Sequence, residues 1–283
     1  MRTDLHYAFR RTTNRIMLTL TGVAATLAVG LFVGLLGYIV YHGASALNWD
    51  FLVKLPAPVG EKGGGMANAI VGTLKLLGLA SVFGVTIGVA GGTYLSEYGH
   101  GRIGFFVRYA ADILNGVPSI VVGIVAYALV VLPMKHFSTL AGGVALGLIM
   151  IPTVVRNTEE LLKLVPQTVR EASLALGIHE WKTVAFVVIP TAWRGILAGL
   201  LLALARIAGE SAPLLFTALS NRFWSHGWNE PTASLPVMVY TYAISPFEDW
   251  HRQAWAAALV LILIVLGVNV LARLGAGRRA GPA

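Results

Sequence analysis

Arg206 and Glu210 are the only ionisable residues in a long apolar stretch, Gly195–Leu219, and Ser211 and Pro213 follow them closely. A guanidinium offers fixed, planar donors that suit the oxygens of a tetrahedral oxyanion. On a helix, a carboxylate four residues on shares its face and would hold the guanidinium and weaken its grip on an anion. A site that must release what it binds suits transport better than tight capture. Two readings stay open: a charge pair that holds helices together, or a gate for an anion with Arg206, Glu210 and Ser211 along the substrate pathway. Helix stabilisation alone is a weak reason for the pair, because a cation before an anion is the poorer i,i+4 order. Pro213 denies the Gly209 carbonyl its helical partner, so the spacing predicts a kink beside Glu210. Arg206 lies eleven residues into the stretch, about 17 Å along a helix axis and therefore near a bilayer centre.

The elements that carry these residues follow from composition. The chain has 283 residues, 56% apolar and only 12% charged, with a net charge of +8 and no cysteine. So little charge cannot cover a water-soluble domain of this size, and so much apolar surface cannot stay disordered. The absence of thiols removes disulfides, thiolate metal sites and cysteine nucleophiles. The seven histidines share no metal-ligand spacing, and no hydrolytic constellation stands out. An integral membrane protein without cofactor, metal or catalytic residues is expected, not an enzyme.

Six spans are predicted: Ile16–Tyr41, Ile70–Leu95, Ile113–Leu132, Leu140–Val155, Gly195–Leu219 and Ala254–Leu271. Fourteen Lys and Arg fall on the side of the N-terminus, including Arg273, Arg278 and Arg279, against five on the other side; Lys75 and Arg206 lie within spans. That bias predicts both termini inward. The first apolar run is too long for a signal-peptide core, so it reads as an uncleaved span. Small residues recur at four-residue spacing (Gly30/Gly34, Gly84/Gly88/Gly92, Gly143/Gly147, Gly195/Gly199), as close helix packing in membranes requires. No phosphate-cradling G-x-x-x-x-G-K-[ST] occurs, so any nucleotide must bind another chain.

Between the fourth and fifth spans, Pro166 suits the start and Gly177 the left-handed end of a helix of about ten residues. So short a helix must dock on something, with Val169, Ala172, Ser173 and Leu176 recurring on one side. Glu171-Ala172, Gly177 six residues after the Glu, and Pro190 thirteen further on resemble the EAA loop of ABC-importer permeases. Ser173 stands in place of the second Ala, and Ile189 precedes the Pro where Leu is usual. By that resemblance Arg170, Glu171, Ala172, Ser173, Gly177 and Pro190 serve ATPase coupling. The string from Ala205 to Leu215 resembles the fifth helix of the PstA family of phosphate-importer permeases, with Ser211 where Thr is commoner. Asn68–Leu74, Tyr94–Tyr98 and Val117–Gly123 agree with that family as well, and the likeness covers most of residues 66–270.

The resemblance implies an all-α, six-helix, type I (MetI-like) permease bundle, N-in and C-in, in the bacterial inner membrane. Its segments would be a cytoplasmic stretch 1–15, a first span and outer loop 16–65, a permease domain 66–273 with a cytoplasmic coupling loop 156–194, and a tail 274–283. It further implies an ATP-driven phosphate importer, a PstC-like permease partner, two ATP-binding subunits inside and a phosphate-binding protein outside. Charge alone leaves sulfate or molybdate open as cargo, and a stand-alone anion channel or carrier as another class. Among the remaining polar residues, Lys75 is expected to snorkel to an interface, Asp112 and Asn115 to cap the third span, and Glu159-Glu160 to form a solvated patch. The segment Leu235–Ile244 is apolar enough to tuck against the bundle.

Overall fold

Each long apolar run becomes a helix, because in lipid the backbone must satisfy its own hydrogen bonds. The computed structural model describes residues 2–277. Among them the only β-type pairing is an isolated bridge between Pro56 and Gly64. The helices are α1 (Arg2–Ala44), α2 (Trp49–Val53), α3 (Ala67–Glu97), α4 (Arg102–Gly116), α5 (Ser119–Met134) and α6 (Thr139–Lys163). They continue with α7 (Gln167–Ala175), α8 (Glu180–Ala208), α9 (Ala212–Thr217), α10 (Leu235–Ala243) and α11 (Glu248–Gly277). Five of these are long and apolar enough to cross a membrane, and a sixth results if α4 and α5 count together. Arg278, Arg279 and most of the expected tail 274–283 lie outside the described residues.

The helix bounds depart from the predicted spans where prolines intervene. The third is not a continuous Ile113–Leu132 segment: α4 begins at Arg102, and α4 and α5 meet at 108° across Val117-Pro118. A residue before proline avoids the α conformation, which ends α4 there. The fourth runs on past Val155 to Lys163. The fifth starts at Glu180, fifteen residues before the predicted Gly195, because Pro190 is absorbed within the helix and does not precede it. A π-turn over Val184–Val188 comes just before Pro190, and another over Tyr127–Val131 comes just before Pro133. The wider turn accommodates a ring that would otherwise strike the carbonyl four residues back.

Packing centres on α3 against α6. Gly84, Gly88 and Gly92 seat α3 on Met150, Val154 and Thr158; a Cβ on Gly88 would stand 2.5 Å from a Val154 methyl. The main core joins Leu76, Leu77, Leu146, Met150, Ile196, Ile207 and Leu214 from α3, α6, α8 and α9. A second cluster joins Phe51, Met66, Leu235, Met238 and Tyr242 with Ala256, Ala257 and Val260 of α11. α10 does tuck in as expected, with Leu235–Met238 buried. α1 touches α11 near its end, where Gly43 lies on the Trp255 backbone and the Tyr38 and Trp255 rings are 5.2 Å apart. A Cβ on Gly30 or Gly34 would meet nothing within 4 Å, so among the described residues that pair packs against no helix.

Candidate functional site

The fifth span ends in a break rather than a kink. α8 stops at Ala208, and the turn closes with the Gly209 N–H donating to the Arg206 carbonyl (3.4 Å) and the Glu210 N–H to Ile207 (3.2 Å). Pro213 is the cause, because it offers no N–H to the Gly209 carbonyl and its ring would collide with it. The chain restarts as α9, with the Ser211 carbonyl accepting from the Leu214 N–H (3.1 Å) and the Leu215 N–H (3.2 Å). α9 is clamped between neighbours. Gly123 of α5 lies so close that a Cβ would stand 2.6 Å from the Pro213 Cα. At its far end the Ser138 N–H donates to the Thr217 carbonyl.

The break separates the two charges. Arg206 occupies the last turn of α8 on an exposed face, with Leu202 exposed one turn earlier; Glu210 and Ser211 are half-buried beyond the helix end. Among the described residues no ion pair joins Arg206 to Glu210, since a helical i,i+4 relation needs a helix and this one has ended. The inner side of the same turn is closed: Ile207 and Ala208 pack with Thr73, Leu76, Leu146, Leu214 and Ser234 around a cavity of about 10 Å³. Leu146 is seven residues into α6 and Leu76 nine into α3, so this level lies about 10–14 Å along those helices from their first residues. Within the hydrocarbon a cation facing lipid is costly, and irregular backbone is tolerated only inside protein or along a water-filled cavity.

At the opposite end of the bundle the short loop helix forms as predicted between Pro166 and Gly177, whose φ is +75°. Its residues divide in two. Glu171 and Ala172 are exposed, as is Gly177, whereas Arg170 and Ser173 turn inward. The Ser173 and Thr183 hydroxyls are 2.8 Å apart, which ties α7 to the start of α8. Arg170 reaches Glu97 at the end of α3 and two carbonyls at the end of α6. Pro190 sits well away from them, inside α8 after the π-turn.

Two expectations need correction. Glu159 is not solvated: it is fully buried and accepts from Arg108, Arg156 and Lys163, while Glu160 is exposed and only 3.9 Å from Arg156. The i,i+3 and i,i+4 spacing of Arg156, Glu159 and Lys163 was the available signal; Arg108 arrives from α4 and could not be foreseen. Asp112 and Asn115 do not cap a helix start, since both lie late in α4. Asp112 pairs with Arg156 (2.9 Å), and the Asn115 side-chain carbonyl accepts from the Thr153 hydroxyl (2.9 Å). Lys75 donates to the Ser225 carbonyl (2.6 Å) in the loop above the bundle, in keeping with a snorkelling side chain.

A multi-span helical bundle with a bent third span, a broken fifth and a short helix clamped between the fourth and fifth shares its fold with permeases of ABC transporters. A chain of the inward-facing MetNI methionine ABC transporter matches with a TM-score of 0.56 at 19% identity, over 75% of this chain and 94% of that one. An amino acid ABC transporter solved with histidines matches at 0.54 and 19% identity, over 75% and 92%. Residues 84–278 match the family described as binding-protein-dependent transport system inner membrane component, and the chain belongs to that family. Relatives named phosphate transport system permease protein PstA are 45% identical in Haemophilus influenzae, over 96% of both chains, and 45% in Yersinia pestis, over 94% and 90%. One named PstA 1 in Mycobacterium tuberculosis is 36% identical over 93% and 87%. The all-helical permease fold and the multi-pass membrane location expected from the sequence are thereby borne out.

Proposed function

We propose that this chain is a transmembrane permease subunit of an ATP-driven importer that carries inorganic phosphate across the cytoplasmic membrane. The observation that carries the mechanism is Arg206: exposed on its own chain in the last turn of an apolar helix long enough to cross a membrane, beside a backbone break, with its inner side closed. Such a face suits a pathway along the seam with a second, PstC-like permease. The relatives' names supply phosphate as the cargo. Arg206 would present planar donors to the anion, and Glu210 and Ser211 would line the same stretch. The C-terminal end of the α8 dipole adds negative potential beside Arg206, which would moderate its hold and favour release.

The Lys and Arg bias supports both termini inside, which puts α7 on the cytoplasmic face. There the exposed Glu171 and Ala172 would seat in one of two ATP-binding subunits, and nucleotide-driven closure would move α7. An external phosphate-binding protein would deliver the anion at the other end. ATP hydrolysis belongs to the partner subunits. The test is ATP-driven uptake of labelled phosphate and sulfate into liposomes that hold the chain with these partners. Phosphate uptake dependent on ATP is expected. Sulfate uptake alone would overturn the cargo, and uptake by this chain without ATPase subunits would overturn the class.

A further inference from the structure

Arg170 occupies an unusual place for a residue of the ATPase-facing helix, because it points away from the exposed side of α7. Its guanidinium engages the Glu97 carboxylate at 2.9 and 3.2 Å and donates to the carbonyls of Val165 (2.6 Å) and Leu162 (2.9 Å). The Ser96 hydroxyl steadies Glu97 from the side (2.9 Å). Both charged side chains are largely buried, 13% and 10% exposed, so the pair is shielded from solvent and salt. A two-pronged Arg–carboxylate contact also fixes direction as well as distance.

Glu97 is the last residue of α3. From there α3 runs 31 residues to Ala67 and on its way passes Leu76 and Leu77, which pack with Ile207 and Ala208 beside Arg206. The other polar tie of α7, Ser173 to Thr183, leads into α8, at whose far end Arg206 sits. Beside the Arg170 contacts to the end of α6, these ties lead to α3 and α8, which meet at the level of Arg206. Without the Glu97 contact, α7 keeps its ties to the end of α6 and to α8 but loses its direct tie to α3.

We infer that the Glu97–Arg170 pair is a strut that makes α3 move with α7, so that α3 and α8 shift together and ATPase closure reaches the Arg206 level as one displacement. Glu97 is then a positioning residue that touches neither phosphate nor nucleotide. This rests on the proposed seating of α7 in an ATP-binding subunit.

The readout is ATP hydrolysed per phosphate imported by the complete assembly in liposomes, since a merely structural role would lower both together. Glu97→Gln and Arg170→Gln are expected to raise that ratio about fivefold or more, with Arg170→Lys between them and wild type. An unchanged ratio in Glu97→Gln overturns the strut. Because the chain has no cysteine, Glu97→Cys with Arg170→Cys can be bridged by a short bismaleimide in partners free of reactive thiols. The open pair should be uncoupled and the bridged pair should recover. Failure to recover overturns the strut even if Glu97→Gln does not assemble. Ala172→Arg, on the exposed side of α7, separates the two ideas. If it leaves coupling intact, the seating of α7 fails and the strut falls with it. If it uncouples while Glu97→Gln does not, only the strut fails.

Discussion

Glu159 and Glu160 are neighbours of one type in one helix, yet the same change at each should have very different consequences. The Glu159 carboxylate is fully buried and faces Arg108, Arg156 and Lys163, whose side chains are 28%, 28% and 50% exposed. Glu159→Gln keeps the shape, removes the charge and turns amide hydrogens toward three cations. Removing one partner of a buried ion pair costs about 3–5 kcal/mol. The value here should fall at the lower end, about 3 kcal/mol, because Arg108 keeps the carbonyls of Gly99 and Leu95, Arg156 keeps Asp112, and Lys163 can return to water. Glu160, 66% exposed with one contact at 3.9 Å, should lose no more than about 0.5 kcal/mol on becoming Gln. At about 2–4 °C per kcal/mol for a chain of this size, thermal unfolding of the purified assembly should fall by about 6–12 °C for Glu159→Gln and by about 1–2 °C for Glu160→Gln. Equal shifts, or a larger one at Glu160, would refute the assignment of Glu159 as the electrostatic centre joining α4 to α6.

Two further substitutions probe packing and backbone. A Cβ on Gly72 would stand 2.0 Å from the Ala233 carbonyl oxygen, whereas one on Gly78 meets nothing within 4 Å. Gly72→Ala should therefore cost about 1–3 kcal/mol in thermal unfolding, while Gly78→Ala should be neutral or gain up to about 1 kcal/mol from helix propensity. Gly177 holds φ +75° in open space, so Gly177→Ala should destabilise the α7 end by about 1–2 kcal/mol through backbone strain alone. Faster hydrogen exchange in α7 would report this, and Gly177→Asn should be milder.

The sequence made most of the helices legible, because an apolar run of about 20 residues has few other uses. The short helix before Gly177 was equally plain, since its proline and glycine punctuate it from both sides. What misled was proline inside an apolar run. Pro190 read as a boundary but sits in a continuous helix after a π-turn, and Val117-Pro118 lay inside an expected span but produces a sharp bend. Pro213 announces a disturbance in the sequence but not its degree: with Gly209 four residues earlier, the helix ends outright and the expected shared face of Arg206 and Glu210 disappears. Glu97, Arg108 and Asp112 acquire their partners from helices 44 to 73 residues away. No local spacing encodes such contacts; they arise only when α3, α4, α6 and α7 are packed together.

The central claim is that the anion passes the Arg206 face, and it is tested most directly by ATP-driven phosphate uptake in assemblies carrying Arg206→Ala and Arg206→Lys. Both should assemble with their partners, because Arg206 is exposed on its own chain. Arg206→Ala should abolish uptake, and Arg206→Lys should retain part of it as a cation without the planar fork. Wild-type uptake by an intact Arg206→Ala assembly would contradict the claim, and loss of assembly would assign Arg206 to holding the two permeases together.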